Sequence, residues 1–475
     1  MTRPAPRGGV AALVAVGVTA AFSAFWRLGQ SDWKLDEDAY AQAGWFLVHD
    51  GIDTNHGHPP LAKLLFGVSQ VAFGRNLTSV RAVAAVGFLA SVALLFVLGR
   101  QMAGWWTGVA AAGLFAVLPR SMVVAGWSVA DLRIDRYALL EAVSGPLILA
   151  GLTAGWQWVR RGGWRWAAAT GALIGLAGAA QLNSLVVLVS VLVVGVAFGW
   201  GRERLAGESG VVLGAAIVGF LVPFAVFGTR AAHQVGEVLR FPTERANEGH
   251  LLALGTDVYD RSPWWANLRY VWDADGPWLV AAVLVGLVLA VLSRRRAAVV
   301  YLLAATGGLM ASAMASPIAL PHYRAAWIAP LVLLIAIGVV DHLTAEPAST
   351  SAVVLRGVAG ATLAVLAVAG ALTMARLATL PEGDYHQLAD QAQADGVRPT
   401  KVLIYSESVA PYFPGAYDAL APFDDGSQPA QLVVLDPSLT DAVDAATVER
   451  WRDWARGWGL SPHRVGRLEG WWATP

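Results

Sequence analysis

The stretch SVRAVAAVGFLASVALLFVLG, residues 79–99, decides the class of fold. It holds a single charged residue, Arg81, and about 20 such apolar residues in a helix cross a bilayer. Of the 475 residues in the chain, 56% are hydrophobic and 14% are charged, whereas a soluble protein carries about 25% charge. The sequence therefore predicts a mainly α, polytopic membrane protein, and it excludes a soluble globular enzyme and a disordered chain.

Ten further apolar runs flank this one, so that about eleven transmembrane helices are predicted. The further runs lie near residues 9–27, 104–122, 137–158, 166–182, 184–200, 210–228, 277–293, 297–316, 324–341 and 353–376. Gln181 and Asn183 interrupt the pair of runs between 166 and 200. A shorter apolar segment, 59–74, is interpreted as a re-entrant or interfacial helix.

Arginines in short loops predict the orientation, because cytoplasmic loops are enriched in Arg and Lys. With eleven spans and a cytoplasmic N-terminus, the loop arginines all lie on the cytoplasmic side. They are Arg3, Arg7, Arg100, Arg160, Arg161, Arg165, Arg202, Arg204, Arg294, Arg295, Arg296 and Arg356. The prediction is a multi-pass plasma-membrane protein, from a GC-rich bacterium by its composition, with outer loops 28–78 and 229–276. A cleaved signal peptide over the first span is the alternative.

Two domains are predicted. Residues 1–378 form the membrane domain, and residues 379–475, with 14 acidic and 7 basic side chains, form a soluble extracytoplasmic α/β domain. Within the second domain, 401–405 and 431–436 are typical of short buried strands, and 441–458 is typical of an amphipathic helix. A formal charge of zero excludes a nucleic-acid binder, and the absence of cysteine excludes a disulfide scaffold and a cysteine nucleophile.

The first outer loop carries the chemistry: WKLDEDAYAQAGWFLVHDGIDTNHGHPPLAKLL, residues 33–65. Its acidic run, Asp36 to Asp38, directly follows the first span, where carboxylates are costly unless they are solvated, paired or used. A solvated acidic junction is the simpler interpretation of that run. His58-Pro59-Pro60 is a rigid turn, since the residue before each proline is held extended, and it leads into an apolar helix with Lys63 in its first turn.

These pieces resemble the protein O-mannosyltransferase family, part of the wider GT-C group of multi-span glycosyltransferases that use polyprenyl-phosphate sugars. The likeness rests on Asp36-Glu37, on Tyr40 and on the turn His58-Pro59-Pro60-Leu61-Ala62-Lys63. It continues in Arg136-Tyr137-Ala138-Leu139-Leu140-Glu141, where the family usually has Asp as the last residue. A second departure is His56, where the family often has an acidic residue.

Two further stretches are similar to the same group. They are Gly249-His250 with Ser262-Pro263-Trp264-Trp265 in the second outer loop, and His322-Tyr323-Arg324 at the tenth span. The likeness covers residues 28–341 and not the tail. Other interpretations are open: Arg133 and Arg136 would also suit a cluster that snorkels to the headgroups, and the tryptophans would suit an interfacial anchor.

The resemblance implies an inverting transferase that moves mannose from a polyprenyl phosphate to a serine or threonine hydroxyl of a protein. A hydroxyl acceptor requires a general base, and a leaving phosphate requires positive charge, which arginine supplies through its planar fork. We therefore predict Asp36 as the base and Glu37 as the residue that positions the acceptor or the sugar. The predicted donor and substrate contacts are Arg136, Arg133, His58, Lys63, Tyr40, Glu141, His250, Trp264, Tyr323 and Arg324.

Alternative functions stay open on the sequence. The same donor chemistry would serve a lipid or cell-wall glycan acceptor, and the other classes are a transporter or flippase and a non-catalytic scaffold. Transporters keep polar residues near the bilayer midplane, whereas these acids and arginines lie at span ends. No cofactor is required, although His56 and His58, with Asp53 or Asp36, would also suit a divalent metal. A docking role for the tail over the outer loops, selecting the acceptor, is a further hypothesis.

Overall fold

A computed structural model describes the chain apart from residues 1–5, 34–35, 120–121, 125–126, 132, 200–204, 249–251, 255–256, 347–348, 400–401, 406–419, 422–428, 437–444 and 474–475. The described residues are mainly α-helical, with a small sheet near the C-terminus, which confirms the mainly α part of the predicted fold class.

Fourteen helices precede the C-terminal region in the described part of the chain. They are α1 (Gly9–Phe25), α2 (Glu37–His49), α3 (Pro60–Phe73), α4 (Leu77–Ala103), α5 (Trp105–Val117), α6 (Leu140–Arg161), α7 (Trp164–Ala180), α8 (Val186–Gly199), α9 (Leu205–Leu221), α10 (Ala231–Glu248), α11 (Ala266–Val291), α12 (Arg296–Ala315), α13 (Ala325–Thr344) and α14 (Thr350–Ala378).

Six helical stretches are long and apolar enough to cross a membrane by length and composition: Leu77–Ala103, Gly207–Glu248, Ala266–Val291, Arg296–Ala315, Pro321–Thr344 and Thr350–Ala378. Shorter apolar helices lie at Gly9–Phe25, Pro60–Phe73, Trp105–Val117 and Leu182–Phe198. The chain is thus a multi-pass membrane protein, whereas the count of eleven spans stays a prediction.

Local sequence explains where several of these helices begin. The Asn76 side chain caps α4 by accepting a 2.9 Å hydrogen bond from the Ser79 amide. Pro60 occupies the first position of α3, where the missing N–H of proline carries no penalty. Pro60 also fixes the end of the His58 turn relative to α3, so the turn and the helix form one unit.

The predicted first outer loop contains α2 and α3, and α3 agrees with the helix predicted at 59–74. Two glycines bring these helices into direct backbone contact. A Cβ atom on Gly44 would lie 2.3 Å from the Lys63 carbonyl oxygen, and one on Gly67 would lie 2.0 Å from the Gly44 oxygen. Larger side chains at either position would separate α2 from α3, so the glycines fix where the acidic start of α2 lies relative to the His-Pro-Pro turn.

The predicted second outer loop is more ordered than the sequence indicated. A 3-10 helix, Val222–Arg230, bends at Gly228 (φ 55°) and leads into α10. Two small antiparallel hairpins lie nearby: β1 (Met122–Val124) with β2 (Trp127–Asp131), and β3 (Leu252–Leu254) with β4 (Asp257–Tyr259). Helix α11 begins at Ala266, eleven residues before the predicted span, and Gly276 (φ 75°) interrupts its helical geometry.

The C-terminal region is the α/β unit expected from its strand-like runs. It contains α15 (Asp384–Ala394), β5 (Val402–Tyr405), β6 (Leu420–Ala421), β7 (Leu432–Leu435), α16 (Ala445–Gly457), β8 (Ser461–Val465) and β9 (Leu468–Trp472). The strand order is β6-β5-β7-β9-β8, with β5 parallel to β6 and β7, and the β7–β9 and β8–β9 pairs antiparallel. Strands β5 and β7 and helix α16 lie where the sequence predicted two strands and a helix.

The C-terminal region is bonded to the segment that follows α1. The Gly383 amide donates to the Gln30 carbonyl at 2.8 Å, and the Tyr385 amide donates to the buried Asp32 carboxylate at 3.1 Å. The side-chain hydroxyl of Tyr385 donates to Asp436 at 2.9 Å. One tyrosine therefore links the sheet to the residues just before the acidic run.

Candidate active site

The second residue of the acidic run, Glu37, is fully buried (0% exposed) in an ion pair with Arg81. The guanidinium binds both carboxylate oxygens, with nitrogen–oxygen distances of 3.0 and 2.7 Å. The Ala138 amide also donates to Glu37, at 2.7 Å. Glu37 therefore joins α2 to α4 and to the segment before α6, and a sugar could reach its oxygens only by breaking these bonds. This environment differs from the predicted role of Glu37 in positioning the acceptor or the sugar.

Arg81 is a residue that the sequence analysis missed as part of the site. Besides Glu37, its guanidinium donates to the carbonyl oxygens of Leu28, Ser31 and Asp32 at 2.6–3.1 Å. It also lies over the Tyr137 ring, 4.9 Å from the centroid. The signal for it was present, since a single arginine in an apolar run requires a partner.

The first residue of the run, Asp36, has a different environment. It lies at the N-terminal end of α2, is partly exposed, and accepts a long hydrogen bond (3.4 Å) from the Tyr40 hydroxyl. In the part of the chain that the structure describes, no cation forms an ion pair with Asp36. The charge of Asp36 acts electrostatically on Tyr40, His58 and Glu141. Burial, and then the charges of Asp36 and Glu141, raise the pKa of Tyr40 well above its usual value, so Tyr40 is a neutral donor.

His58 lies between two aromatic rings. Tyr40 and Phe241 contact it edge-on, with ring centroids 5.4 and 5.0 Å away. Burial, followed by the charge of Lys63, lowers the pKa of His58 to about 4. The imidazole is therefore neutral at pH 7, so it offers a hydrogen bond rather than a positive charge.

Lys63 is fully buried (0% exposed) and holds the loop before the proline turn. Its ammonium group donates to the Asp53 carboxylate at 2.6 Å and to the His58 carbonyl at 2.8 Å, and it also donates to the Asn55 carbonyl. These three acceptors use all three of its N–H groups. This geometry fits a role in organising the loop rather than the predicted contact with the donor or substrate.

Glu141, at the start of α6, is buried beside the cluster. Gln181 donates to its Oε1 at 2.6 Å, and the His322 ring lies 3.7 Å from the same oxygen. Ser144 donates in turn to Gln181 at 3.2 Å. Three elements therefore meet at this carboxylate: α6, the end of α7 and the 3-10 turn Pro321–Arg324. Within that turn, the His322 ring packs edge-on against Tyr323.

The last residue of the same turn, Arg324, lies beside Asp275, which lines an apolar cavity. It is buried, and none of its guanidinium nitrogens has a hydrogen-bond partner among the described residues. Its nearest carboxylate is Asp275, 3.6 Å away. Asp275 lines a cavity of about 180 Å³ between α11 and α13, whose other walls include Leu279, Trp327 and Leu331. A long apolar chain with an anionic head has the chemistry to match this combination.

A second residue missed from the sequence is Arg245, on α10. Phe241, one turn earlier on the same helix, packs on His58, and the Arg245 charge acts on Tyr323. Arg245 is itself paired with Glu248, with 3.4 Å between the guanidinium and the carboxylate. No motif in the sequence marks this arginine. Its position depends on the bend at Gly228, which directs α10 towards the first loop.

Arg133 and Arg136 belong to a second cluster. Arg133 forms a two-pronged ion pair with Asp135, at 3.1 and 2.8 Å. Arg136 donates through Nη2 to the Trp26 carbonyl, and Arg81, Arg133 and Asp135 are the charged residues that act on it. The pocket that they line contains neither Asp36 nor His58. No described contact joins Arg133 or Arg136, the two arginines predicted to bind the donor phosphate, to Asp36, the predicted base.

The remaining predicted contacts lie apart or outside the described residues. Trp264 is 64% exposed, while its neighbour Trp265 packs edge-on against Tyr259. The structure does not bring Trp264 to the Asp36 cluster through any described contact. His250 lies outside the described residues.

The described residues do not form the metal site considered for His56 and His58. His56 is exposed, and the His58 ring is packed between Tyr40 and Phe241. Among the residues that the structure describes, no three His, Cys, Asp or Glu side chains are grouped so as to hold a metal ion.

The fold is similar to those of solved enzymes that share less than a fifth of their residues with this chain. ArnT from Cupriavidus metallidurans, solved bound to undecaprenyl phosphate, matches with a TM-score of 0.63 and 17% identity over 98% of both chains. The oligosaccharyltransferase of Archaeoglobus fulgidus matches with a TM-score of 0.51 and 13% identity, over 90% of this chain and 69% of that one. The same archaeal enzyme, AglB, in complex with an inhibitory peptide and a dolichol-phosphate, matches with 12% identity at a TM-score of 0.51.

No protein-family model and no curated protein matches the sequence. The structural likeness agrees with the wider group to which the sequence was compared. The narrower likeness to O-mannosyltransferases stays a prediction.

Proposed function

We propose that this protein is an inverting glycosyltransferase that moves a sugar from a polyprenyl phosphate to a hydroxyl acceptor at the membrane surface. The observation that carries the proposal is Asp36. It is a partly exposed carboxylate without an ion pair among the described residues, and it lies in a cluster with Tyr40, His58 and Glu141. ArnT, whose fold this chain shares over nearly its whole length, was solved with undecaprenyl phosphate.

Asp36 supplies the base in this proposal. The acceptor oxygen attacks the anomeric carbon while its proton passes to the Asp36 carboxylate. The bond between that carbon and the phosphate oxygen breaks, and its electron pair leaves with the lipid phosphate. Because attack and departure occur on opposite faces, the configuration at the anomeric carbon inverts, as with the base of an inverting glycosidase. The Tyr40 hydroxyl, neutral and 3.4 Å away, orients the carboxylate.

The leaving phosphate requires positive charge and neutral donors rather than an acid. Arg245, whose charge acts on Tyr323, is the cation we assign to it, since a guanidinium binds phosphate oxygens in pairs. Neutral His58 adds a hydrogen bond. The prenyl chain lies in the apolar cavity that Asp275 lines, and Arg324 lies 3.6 Å from Asp275.

Glu37, Lys63 and Glu141 act through position. Glu37 fixes the start of α2 through Arg81, and Lys63 fixes the loop that presents His58. Glu141 holds His322 next to Tyr323. None of the three has to contact the sugar for the reaction to proceed.

Mannose as the sugar, and a serine or threonine hydroxyl as the acceptor, are the finer form of the proposal. They rest on the likeness of the Asp36-Glu37 pair and the His58–Lys63 turn to the O-mannosyltransferases. A lipid or cell-wall glycan acceptor would use the same donor chemistry. In either form the site faces the outside of the plasma membrane, with the N-terminus in the cytoplasm and the C-terminal domain outside, as the arginine pattern predicts.

The test is transfer of labelled sugar from polyprenyl-phosphate mannose by purified membranes carrying the native chain or Asp36→Asn. We expect the variant to lose at least about 100-fold in rate, because general bases contribute roughly 100- to 10,000-fold. Asp38→Asn is the matched control: Asp38 is the other partly exposed acid of the run and accepts from Gln42 at 3.0 Å.

Label in a protein fraction supports the Ser/Thr form, and label in lipid or glycan supports the alternative acceptor. Equal transfer by the native chain and Asp36→Asn would refute the assignment of the base. If neither mannose nor any other polyprenyl-linked sugar is transferred, the glycosyltransferase proposal itself is wrong.

A further inference from the structure

An open groove of about 510 Å³ lies in the C-terminal region, where α15 and α16 end. Its described walls include Asp395, Arg398, Trp458 and Ala473, and none of the residues that the proposed reaction uses. Ligand pockets have volumes of roughly 300–1,000 Å³, so the groove has room for a ligand of ordinary size. It is therefore a candidate for a second binding site, separate from the cluster around Asp36.

Two helix ends with the same pattern form much of the groove. Helix α15 ends in AQADGV, residues 392–397, and α16 ends in ARGWGL, residues 455–460. Gly396 (φ 82°) and Gly459 (φ 76°) take the left-handed conformation that favours glycine at the end of a helix. In both turns the next amide donates to the carbonyl five residues earlier, at 2.9 and 3.0 Å. Because these bonds fix the backbone, the walls are formed before a ligand binds.

The residue directly before each glycine lines the groove: Asp395 in the first turn and Trp458 in the second. The indole of Trp472 donates to Oδ2 of Asp395 at 2.9 Å, whereas Oδ1 accepts no hydrogen bond from the described residues. The Trp458 ring stacks on Trp454, with 6.3 Å between the centroids and 27° between the planes. Each side chain is thus held by a neighbour, and the groove offers an aromatic ring and a carboxylate oxygen in fixed positions.

The charges around the groove favour a neutral ligand over an anion. Helix C-termini carry partial negative charge, and two of them border the groove together with the Asp395 carboxylate. Arg398, which is exposed, is the one basic residue among the described wall residues, so the formal charges of these walls cancel. A hydroxyl group both donates to such acceptors and accepts from a guanidinium. A sugar supplies several hydroxyls, and it also has a C–H face that packs on an aromatic ring.

We propose that this groove binds a neutral oligosaccharide, and that it holds the glycan chain of the acceptor. One sugar ring packs on Trp458, and its hydroxyls bond to Asp395 and Arg398. A peptide has fewer hydroxyls for its length and no comparable C–H face, so it fits these walls less well. The role in holding the acceptor rests on the proposed function and selects the glycan from its acceptor classes, whereas binding itself does not depend on transfer.

The groove lies close enough to the proposed base for one acceptor to reach both. Tyr385, at the start of α15, is bonded to Asp32, and Asp395 directly follows the end of that helix. A helix of 11 residues is about 16 Å long, and the four residues from Asp32 to Asp36 span at most about 14 Å. With the bond between them, the groove begins within roughly 35 Å of Asp36, a distance that several linked sugars can span.

The experiment is isothermal titration calorimetry of the purified full-length protein without a sugar donor, in a detergent that has no sugar headgroup. The probes are neutral hexasaccharides of mannose, glucose and galactose, with mannose itself and a hexapeptide rich in serine and threonine as controls. We expect at least one hexasaccharide to bind with a Kd of about 1 mM or lower. Mannose alone should bind at least about 10-fold more weakly, because it reaches only part of the groove.

Three variants locate the binding. Arg398→Ala removes a hydrogen-bond donor from an exposed position and should weaken binding about 3- to 10-fold. Its matched control is Arg464→Ala, at an exposed arginine of the same region outside the groove, which should bind as the native chain does. Trp458→Ala should weaken binding about 10-fold or more, as truncation of a central tryptophan does. If Trp458→Ala does not fold, Ala473→Trp, which fills the groove from an exposed position, should block binding instead.

The binding site is overturned if no hexasaccharide binds, if the peptide binds and the sugars do not, or if Arg398→Ala and Ala473→Trp both bind like the native chain. The acceptor role has a separate test. Arg398→Ala should raise the KM of a hexasaccharide acceptor about 3- to 10-fold, and Arg464→Ala should not. An unchanged KM in Arg398→Ala would overturn that role. If the native chain transfers no sugar at all, the acceptor role fails with the proposed function, while the titrations still decide whether the groove binds a glycan.

Discussion

Two regions at the start of α2 begin one residue apart and have opposite environments. Around Glu37, every contact is short and paired: Arg81 binds both carboxylate oxygens and the Ala138 amide adds a third bond. Around Asp36, the carboxylate is partly exposed and Tyr40 is 3.4 Å away. The first region resembles the interior of a stable protein, and the second is open to a ligand.

The difference separates two uses of an acidic residue. A carboxylate whose hydrogen-bonding capacity is filled by the protein contributes to structure, and removing it leaves a buried charge without a partner. A carboxylate with unused capacity next to neutral donors can accept a proton from a substrate. Variants in the two regions should therefore fail in different ways, in stability for one and in rate for the other.

The largest effect should come from Glu37→Gln. The substitution leaves the buried Arg81 guanidinium without its carboxylate, and removing one partner of a buried pair costs about 3–5 kcal/mol. We expect either a clear fall in the midpoint of unfolding or failure to fold. Tryptophan fluorescence measures the unfolding. Asp36→Asn serves as the comparison and should change stability by less than about 0.5 kcal/mol, in line with exposed positions. Equal stability of Glu37→Gln and the native chain would contradict the structural role of Glu37.

A second effect, on both stability and rate, should come from Lys63→Met. It removes the cation that holds Asp53 and the His58 carbonyl, so the turn that presents His58 loosens. Because a displacement of about 1 Å in an active site can cost 100-fold, we expect transfer to fall by roughly 10- to 100-fold.

In Lys63→Met the buried Asp53 carboxylate has lost its cation. The double variant Lys63→Met with Asp53→Asn removes that carboxylate as well. It should recover stability while transfer stays low. Recovery of transfer together with stability would show that Lys63 acts only on folding, and unchanged transfer in the single variant would exclude a positioning role.

The smallest effect should be a pH dependence of stability that comes from His58. In the unfolded chain this histidine takes a proton near its ordinary pKa of 6.5, whereas burial holds the pKa in the folded protein at about 4. Its contribution is therefore fully present above pH 6.5 and is lost as the pH falls from 6.5 towards 4. The native chain should lose more stability over this window than His58→Gln, measured by thermal unfolding at each pH. His56→Gln, at an exposed histidine, should follow the native curve, and identical curves for all three proteins would contradict the buried, neutral state of His58.

Much of the fold could be predicted from local composition. The apolar runs predict membrane helices, and the runs that became β5 and β7 predict short buried strands, because each depends only on neighbouring residues. The helical nature of the second outer loop was not predicted. The mean hydropathy of α10 is low, and its path is set by the bend at Gly228 rather than by an apolar pattern.

The site could be predicted only in part, for a similar reason. Asp36 and Glu37 are equivalent in the sequence, and their difference comes from Arg81, which is 44 residues from Glu37 along the chain. Arg136 stands out by its motif but lies in a separate pocket, whereas Arg245 has no motif and lies near the cluster. Motifs identify the residue types that a reaction uses, and only the packing of distant helices decides which of them share a site.

The bond from the Tyr385 amide to Asp32 spans 353 residues of chain. At a synthesis rate of about 5–20 residues per second, the ribosome needs on the order of 20 to 70 s to travel from one partner to the other. During that interval the segment just ahead of Asp36 has its bonds to Arg81 but lacks the bond to Tyr385. The segment that leads to the proposed base therefore acquires this bond only after residue 385 has been synthesised.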